Sequence, residues 1–348
     1  MQLVINTFGA FLHKHQDLFR INIKEQKYQF SPQKIDSILI TSGASFSSDA
    51  VELAIEHNID FIFLNKYGNP YARIWRPKLG STAAIRRRQL ELSESTQGYL
   101  SALQLIQKKF DGQIRLLKQL GRTRQGDSVS LLEKGIAGIQ SLGKKLDTVK
   151  PEAENIAGTL RGLEGSAGRI YFGTIAHILP KDYQFDGRSR DPAADYFNCL
   201  LNYGYGMLYG MVERACILAG LDPHVGLLHT DNYNKKSFVF DMIEPFRPYI
   251  DEVVIKLITT RQIKHNYFDE IPAGFTLNKL GKEILIPAVN DFFEESVRYH
   301  GRNIQRKHTI QYECHRMANA WLGREEEPDV NVVETQELEE DTQDRDVL

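Results

Sequence analysis

No uninterrupted apolar run in this chain approaches the roughly 18 residues that a membrane-spanning helix needs, so no helical membrane span is expected. The opening "MQLVINTFGAF" has neither the basic patch nor the cleavage site of a secretory signal, and the expected location is the cytoplasm. Cysteine is scarce. Cys199, Cys216 and Cys314 are an odd number without ligand spacing, which excludes a zinc or disulfide framework and leaves reduced core thiols. No internal repeat is present. Net charge is also small, at -2, but it is unevenly placed. Residues 325–348 hold 11 acids and one base, so the body up to residue 324 carries +8. That tail has too few large apolar side chains to pack and is expected to be disordered, whereas the basic body suits a polyanionic partner.

What the chain does have is apolar content, 42% of 348 residues, enough for two domains. Over residues 1–76 short alternating or apolar runs ("LVI", "LFRINI", "KYQF", "DSILITS", "DFIFLN", "YARIW") separated by polar turns predict strands. One helix interrupts them, capped by Ser47, Ser48 or Asp49 and ending near Asn58. After a linker at 77–80, the period changes to three and four. From Ser81 to about Gln119, Tyr99, Leu103, Ile106, Phe110, Ile114 and Leu117 predict one long amphipathic helix. The expected fold is α+β: a small N-terminal β-rich, sandwich-like domain (1–76), then a larger all-α domain (81–322) and the acidic tail (323–348).

Within "RGLEGSAGRIYF" a single acid, Glu164, shares a helical face with Ala157, Leu160, Gly168 and Tyr171. Two readings are open. Glu164 pairs with Arg161 three residues earlier, for a few tenths of a kcal/mol; or it faces a polar pocket, where an unpaired buried carboxylate would cost several kcal/mol and a divalent cation would neutralise it. Gly162, Gly165 and Gly168 favour the second, since glycines in a helix interior let another backbone approach closely.

A second cluster lies in "GLLHTDNYNKKSFVFDMIEPFRPYIDEVV". His229 ends an apolar run, and Asp241 and Glu244, three apart, are neighbours on the helix that follows Ser237. Two carboxylates and an imidazole suit manganese or magnesium, although a lone His or a helical Asp is more often structural.

Four stretches occur in order: "ILITSGASFSSDAVELAIEHNIDFIFLNKYGNPYARI", "LEGSAGRIYF", "DPAADYFNCLLNYGYGMLYG" and "GLLHTDNYNKKSFVFDMIEPFRP". Together they resemble the CRISPR-associated integrase family that inserts new spacers during adaptation, over roughly residues 1–322. The resemblance implies a dimerising N-terminal domain and a helical catalytic domain that holds one divalent ion, Mn2+ or Mg2+. Glu164, His229 and Glu244 match the family's metal ligands, and Asp241 matches a nearby acid that supports them or serves as an alternative ligand. The third ligand is Glu here rather than Asp, one methylene longer. The implied activity is attack of a DNA 3′-hydroxyl on a phosphodiester, with associated endonuclease activity. The implied partners are protospacer and repeat DNA, a second copy of the chain, and a small CRISPR-associated protein of ferredoxin-like fold; no membrane is involved.

For holding DNA, Arg188, Arg190, Lys235 and Arg247 lie beside the motifs, and Arg76 and Arg86 flank the linker; Arg247 alternatively pairs with Asp251. Arg73, Lys236, Arg306 and Lys307 add further basic groups. Asn202, Tyr203 and Tyr205 are expected to support the core. Rival readings are a stand-alone structure-specific nuclease, a transposon-borne relative, and a basic DNA-binding scaffold without catalysis.

Overall fold

The computed structural model describes residues 2–65, 70–74, 82–150, 155–190, 192–229 and 236–324. The linker 77–80, the cap at Ser81, Trp75 and the tail from residue 325 lie outside them.

Two four-stranded sheets build the N-terminal part. One contains β1 (Gln2–Ile5), β5 (Ser37–Ile40), β7 (Asp60–Leu64) and β8 (Pro70–Ile74) in that order, parallel except for the β7–β8 pair. The other is ordered β4 (Gln26–Phe30), β3 (Leu18–Ile23), β2 (Phe11–His15) and β6 (Ser45–Phe46). Side chains from both sheets share one core with Ala50, Leu53 and Ala54 of helix α1 (Ser48–Glu56). Of the three candidate caps it is Ser47 that accepts the Ala50 N–H, at 3.2 Å.

Strands β1, β5 and β7 of the first sheet are mostly buried, which explains why they are nearly continuous apolar runs, whereas the edge strand β8 is more exposed. Ile38, Ile40 and Phe61 point into the N-terminal core, while Leu39, Ile62 and Leu64 belong to the core of the helical part. A buried ion-pair network seals this junction. Arg73 pairs with Asp60 and lies 3.5 Å from Glu213, whose other oxygen is 2.5 Å from Lys236. Arg73 and Lys236 therefore hold the protein together.

The helical part comprises α2 (Thr82–Ser93), α3 (Thr96–Gly121), α4 (Asp127–Asp147), α5 (Ile156–Ile178), α6 (Tyr196–Leu218), α7 (Ser237–Ile243), α8 (Arg247–Thr259), α9 (Lys279–Glu294) and α10 (Arg306–Trp321). The single long helix expected over 81–119 is two. Ser95 ends α2 and caps α3 by accepting the Gly98 N–H at 3.3 Å. Helix α2 folds back so closely that a Cβ on Gly98 would collide with the Leu92 carbonyl. The domain is also not wholly helical. Two antiparallel hairpins, β9–β10 (Phe268–Ile271, Gly274–Leu277) and β11–β12 (Ser296–Tyr299, Arg302–Gln305), sit beside α9 and α10. The three cysteines are free and buried. No helix among the described residues is long and apolar enough to cross a membrane.

Candidate active site

Glu164 rides on α5, whose face Leu160, Ala167 and Tyr171 is buried in the common core. Of the two readings, the pairing with Arg161 is not the one found among the described residues. Arg161 turns instead to the Leu228 carbonyl at 3.4 Å, and Glu164 Oε1 takes a hydrogen bond of 2.6 Å from Lys109 on α3. The flanking glycines do not admit another backbone, contrary to expectation. A side chain at Gly162, Gly165 or Gly168 would meet nothing within 4 Å among the described residues, because this side of α5 faces open space.

Lys109 connects the two clusters. Its Nζ stands 2.6 Å from Glu164 Oε1 and 2.6 Å from Glu244 Oε2, so acids distant in sequence meet on one nitrogen. Glu244 reaches it because Pro245 ends the helical run. α7 stops at Ile243, a 3₁₀ turn spans Glu244–Phe246, and α8 starts afresh at Arg247. The second oxygen of Glu244 accepts from Arg247 Nε at 2.8 Å. Burial works to raise the Glu244 pKa, but the charges of Arg247 and Lys109 overcome it and hold the carboxyl down at about 2.

His229 sits in the loop after α6, placed by Asp241. Buried Asp241 accepts the N–H groups of Leu227 (2.6 Å) and Leu228 (3.1 Å) on Oδ2, and those of the His229 backbone (3.2 Å) and Nδ1 (2.6 Å) on Oδ1. With Nδ1 committed, Nε2 is the nitrogen left for a ligand or proton, on a ring 36% exposed. Burial lowers the His229 pKa, but the Asp241 hydrogen bond and the charges of Asp241, Glu244 and Glu164 raise it overall. The loop is tight: a Cβ on Gly226 would collide with the His229 carbonyl oxygen and the Ser237 side chain. Among the described residues no three His, Cys, Asp or Glu side chains form a ready cation cage. A cation does stand between the carboxylates, and it is the Lys109 ammonium. Two carboxylates sharing one positive charge, and an imidazole fixed by its other nitrogen, are of the oxygen and nitrogen donor types that suit Mn2+ or Mg2+.

A buried polar network braces the site. Asp251 on α8, 1% exposed, accepts from Tyr171 Oη at 2.9 Å and from Tyr205 Oη. Arg247 stacks on the Tyr205 ring, 4.6 Å from its centroid. Burial raises the Asp251 pKa to about 6, from 3.8 in the unfolded chain. The native protein therefore binds more protons between these values, and Asp251 makes stability fall as pH rises from about 4 to about 6, by up to about 3 kcal/mol. Unfolding free energies measured across this window will show the wild type losing that amount relative to Asp251→Asn; parallel curves would refute it.

The expected DNA-binding residues divide. Arg247 is engaged with Glu244 rather than Asp251 or solvent. Arg188 is enclosed, donating to Asn198 and to Asn202 Oδ1 (2.9 Å), 5.3 Å from the centroid of Tyr205. Arg306 pairs with Glu295, and Lys307 with Asp36 and Glu294. Arg190 is exposed, and Arg86 is half-buried with its Nε lacking a hydrogen-bond partner among the described residues. Arg76 and Lys235 lie outside the described residues. Unanticipated is a cleft of about 310 Å³ beside the Glu244 turn, lined by Lys108, Arg115, His300 and Arg316. Beneath it buried Glu313 accepts from Lys108, from Tyr299 Oη (2.6 Å) and from Arg316 (3.0 Å).

The family described as CRISPR associated protein Cas1 matches residues 3–291. The CRISPR-associated endonuclease Cas1 1 of Archaeoglobus fulgidus is 31% identical over 316 residues, covering 87% of this chain and 91% of that one. The fold is that of a Cas1 protein from Thermotoga maritima, with TM-score 0.79 and 22% identity over 94% of this chain and 99% of that one. A casposase bound to integration product is also similar, with TM-score 0.78, 23% identity and 94% of each chain covered. The family match over residues 3–291 and the 31% identical relative show that the chain belongs to the Cas1 family of CRISPR-associated proteins.

Proposed function

We propose that this protein is a metal-dependent DNA integrase that inserts spacers into a CRISPR array, with DNA endonuclease activity when water replaces the attacking hydroxyl. The observation that carries it is the convergence of Glu164 and Glu244 on one cation, with His229 held alongside by Asp241. The endonuclease name of its Archaeoglobus relative, and a casposase on its integration product sharing the fold, support the reading.

Glu164, Glu244 and His229 Nε2 would hold Mn2+ or Mg2+, which when bound supplies Lewis-acid polarisation of a phosphoryl oxygen and a lowered pKa for the attacking hydroxyl. The chain itself orients. Asp241 fixes the His229 ring, and Arg247 and Lys109 keep Glu244 ionised. The 3′-hydroxyl of the incoming DNA is the nucleophile, so no side chain needs to form a covalent intermediate. Arg190, Arg86 and, in the cleft beside the Glu244 turn, Arg115 are the candidates for phosphate contact. An inserted fragment has two ends and needs two active sites, which argues for a homodimer. The small ferredoxin-like partner is part of the same proposal.

Strand transfer of a short duplex into a repeat-bearing plasmid tests it. Joining is expected with Mn2+ or Mg2+ and a loss of about 100-fold or more with chelator, at unchanged DNA affinity. Cleavage of branched DNA without joining would indicate a nuclease, and binding without either a scaffold.

A further inference from the structure

We propose that Lys109 is the resident counter-ion of the acidic pair, which a divalent cation must displace, so that this lysine sets the metal affinity of the site. This role presupposes the metal site proposed above.

Lys109 lies on the buried face of α3 and is 9% exposed. Of its three N–H groups one is donated to Glu164 Oε1 at 2.6 Å, and the same nitrogen forms an ion pair at 2.6 Å with Glu244 Oε2, a buried oxygen with no hydrogen bond among the described residues. A Mn2+ or Mg2+ ion held by Glu164 and Glu244 would need carboxylate oxygens that the ammonium now occupies. Steric exclusion is thus the first reason the two cations compete.

Charge is the second. Glu164 and Glu244 carry two negative charges, and Lys109 with Arg247 supplies two positive ones, so the cluster is balanced without any ion. Adding a divalent cation beside both bases would leave two uncompensated positive charges in a mostly buried site, where repulsion is strong. One base must go. Arg247 is fixed, hydrogen-bonded to Glu244 at 2.8 Å and stacked on Tyr205 at 4.6 Å. Lys109 has a flexible four-carbon stem and no aromatic platform in its contacts, so it is the group that yields. Without metal it has a complementary task, keeping two carboxylates that share a nitrogen from repelling one another apart.

The test uses the full chain and Mn2+ itself, followed as free Mn2+ by electron paramagnetic resonance. Lys109→Met keeps the length of the side chain and removes its charge. It should bind Mn2+ at least about tenfold more tightly than wild type, melt at a lower temperature in chelator, and gain more thermal stability from the metal. Glu164→Gln should weaken binding in either background. Acylation of lysines read by mass spectrometry gives a measurement on the unmutated protein, in case Lys109→Met does not fold. Lys109 should be protected in chelator and modified several-fold faster with saturating Mn2+. Affinity equal to or weaker than wild type in folded Lys109→Met, or protection of Lys109 undiminished by Mn2+, overturns the inference and leaves the metal site standing. Failure of both wild type and variant to bind Mn2+ removes the metal site and this inference with it.

Discussion

Glu164→Gln is expected to reduce strand transfer by about a thousandfold or more while the protein remains folded and holds DNA with near wild-type affinity. The asymmetry of the ion pairs is the reason. Lys109 keeps its contact with Glu244 at 2.6 Å when Glu164 is neutralised, and the glutamine oxygen can still accept from it. The stability cost should stay at about 1–2 kcal/mol. The lost charge, in contrast, leaves a cation only one carboxylate and a histidine. Glu244→Gln should differ, because Lys109 keeps Glu164 but Arg247 loses its paired acid in a site that water scarcely reaches, a loss of about 3–5 kcal/mol. Joining assays run beside thermal melts and salt-dependent DNA binding separate these effects. Joining by Glu164→Gln within tenfold of wild type would mean the acid is not part of the chemistry.

Legibility in the sequence followed how local each cause was. The strands of the first sheet and helix α1 were readable because each is fixed by its own apolar run or by a cap a few residues away, as at Ser47. The break at Ser95 was not, since Leu92 and Leu103 continue a helical rhythm and only the packing of α2 against Gly98 forces a turn. The β9–β10 hairpin was missed although Pro272 and Gly274 flank its turn, where Ala273 takes φ 66. The β11–β12 turn, with Gly301 at φ 79, did carry that signal within "RYHGRN". At the site, resemblance pointed to Glu164, His229, Glu244 and Asp241, and in the structure Glu164 and Glu244 share Lys109 while His229 pairs with Asp241. Lys109 was missed although it left a trace. It and Gln113 are polar residues four apart on the face of Ile106 and Phe110, and both are buried. Arg188 and Arg247 misled for the opposite reason: adjacency to a motif in sequence says nothing about whether a guanidinium faces solvent or, as here, an aromatic ring and a carboxylate within the fold.

Asp241→Asn should be among the most destabilising single substitutions in the chain, by about 3–5 kcal/mol, and should also lower strand transfer by a further 10- to 100-fold in whatever protein remains folded. Asp241 is 4% exposed and its carboxylate takes four N–H donors, from the backbones of Leu227, Leu228 and His229 and from His229 Nδ1. Asparagine offers one acceptor oxygen. Whichever way its amide turns, an N–H group faces two donors in a buried pocket, and the charge that strengthened the remaining bonds is gone. The catalytic consequence follows from the same geometry. If the amide nitrogen faces the ring, Nδ1 must accept rather than donate and the proton moves to Nε2, the nitrogen needed as a ligand; if it faces the backbone, the Leu227–His229 loop loses its anchor. Urea unfolding at neutral pH gives the stability change, and joining measured at a temperature where the variant is fully native gives the catalytic one. An Asp241→Asn protein as stable as wild type would mean that the loop is held by its own turn and not by this acid.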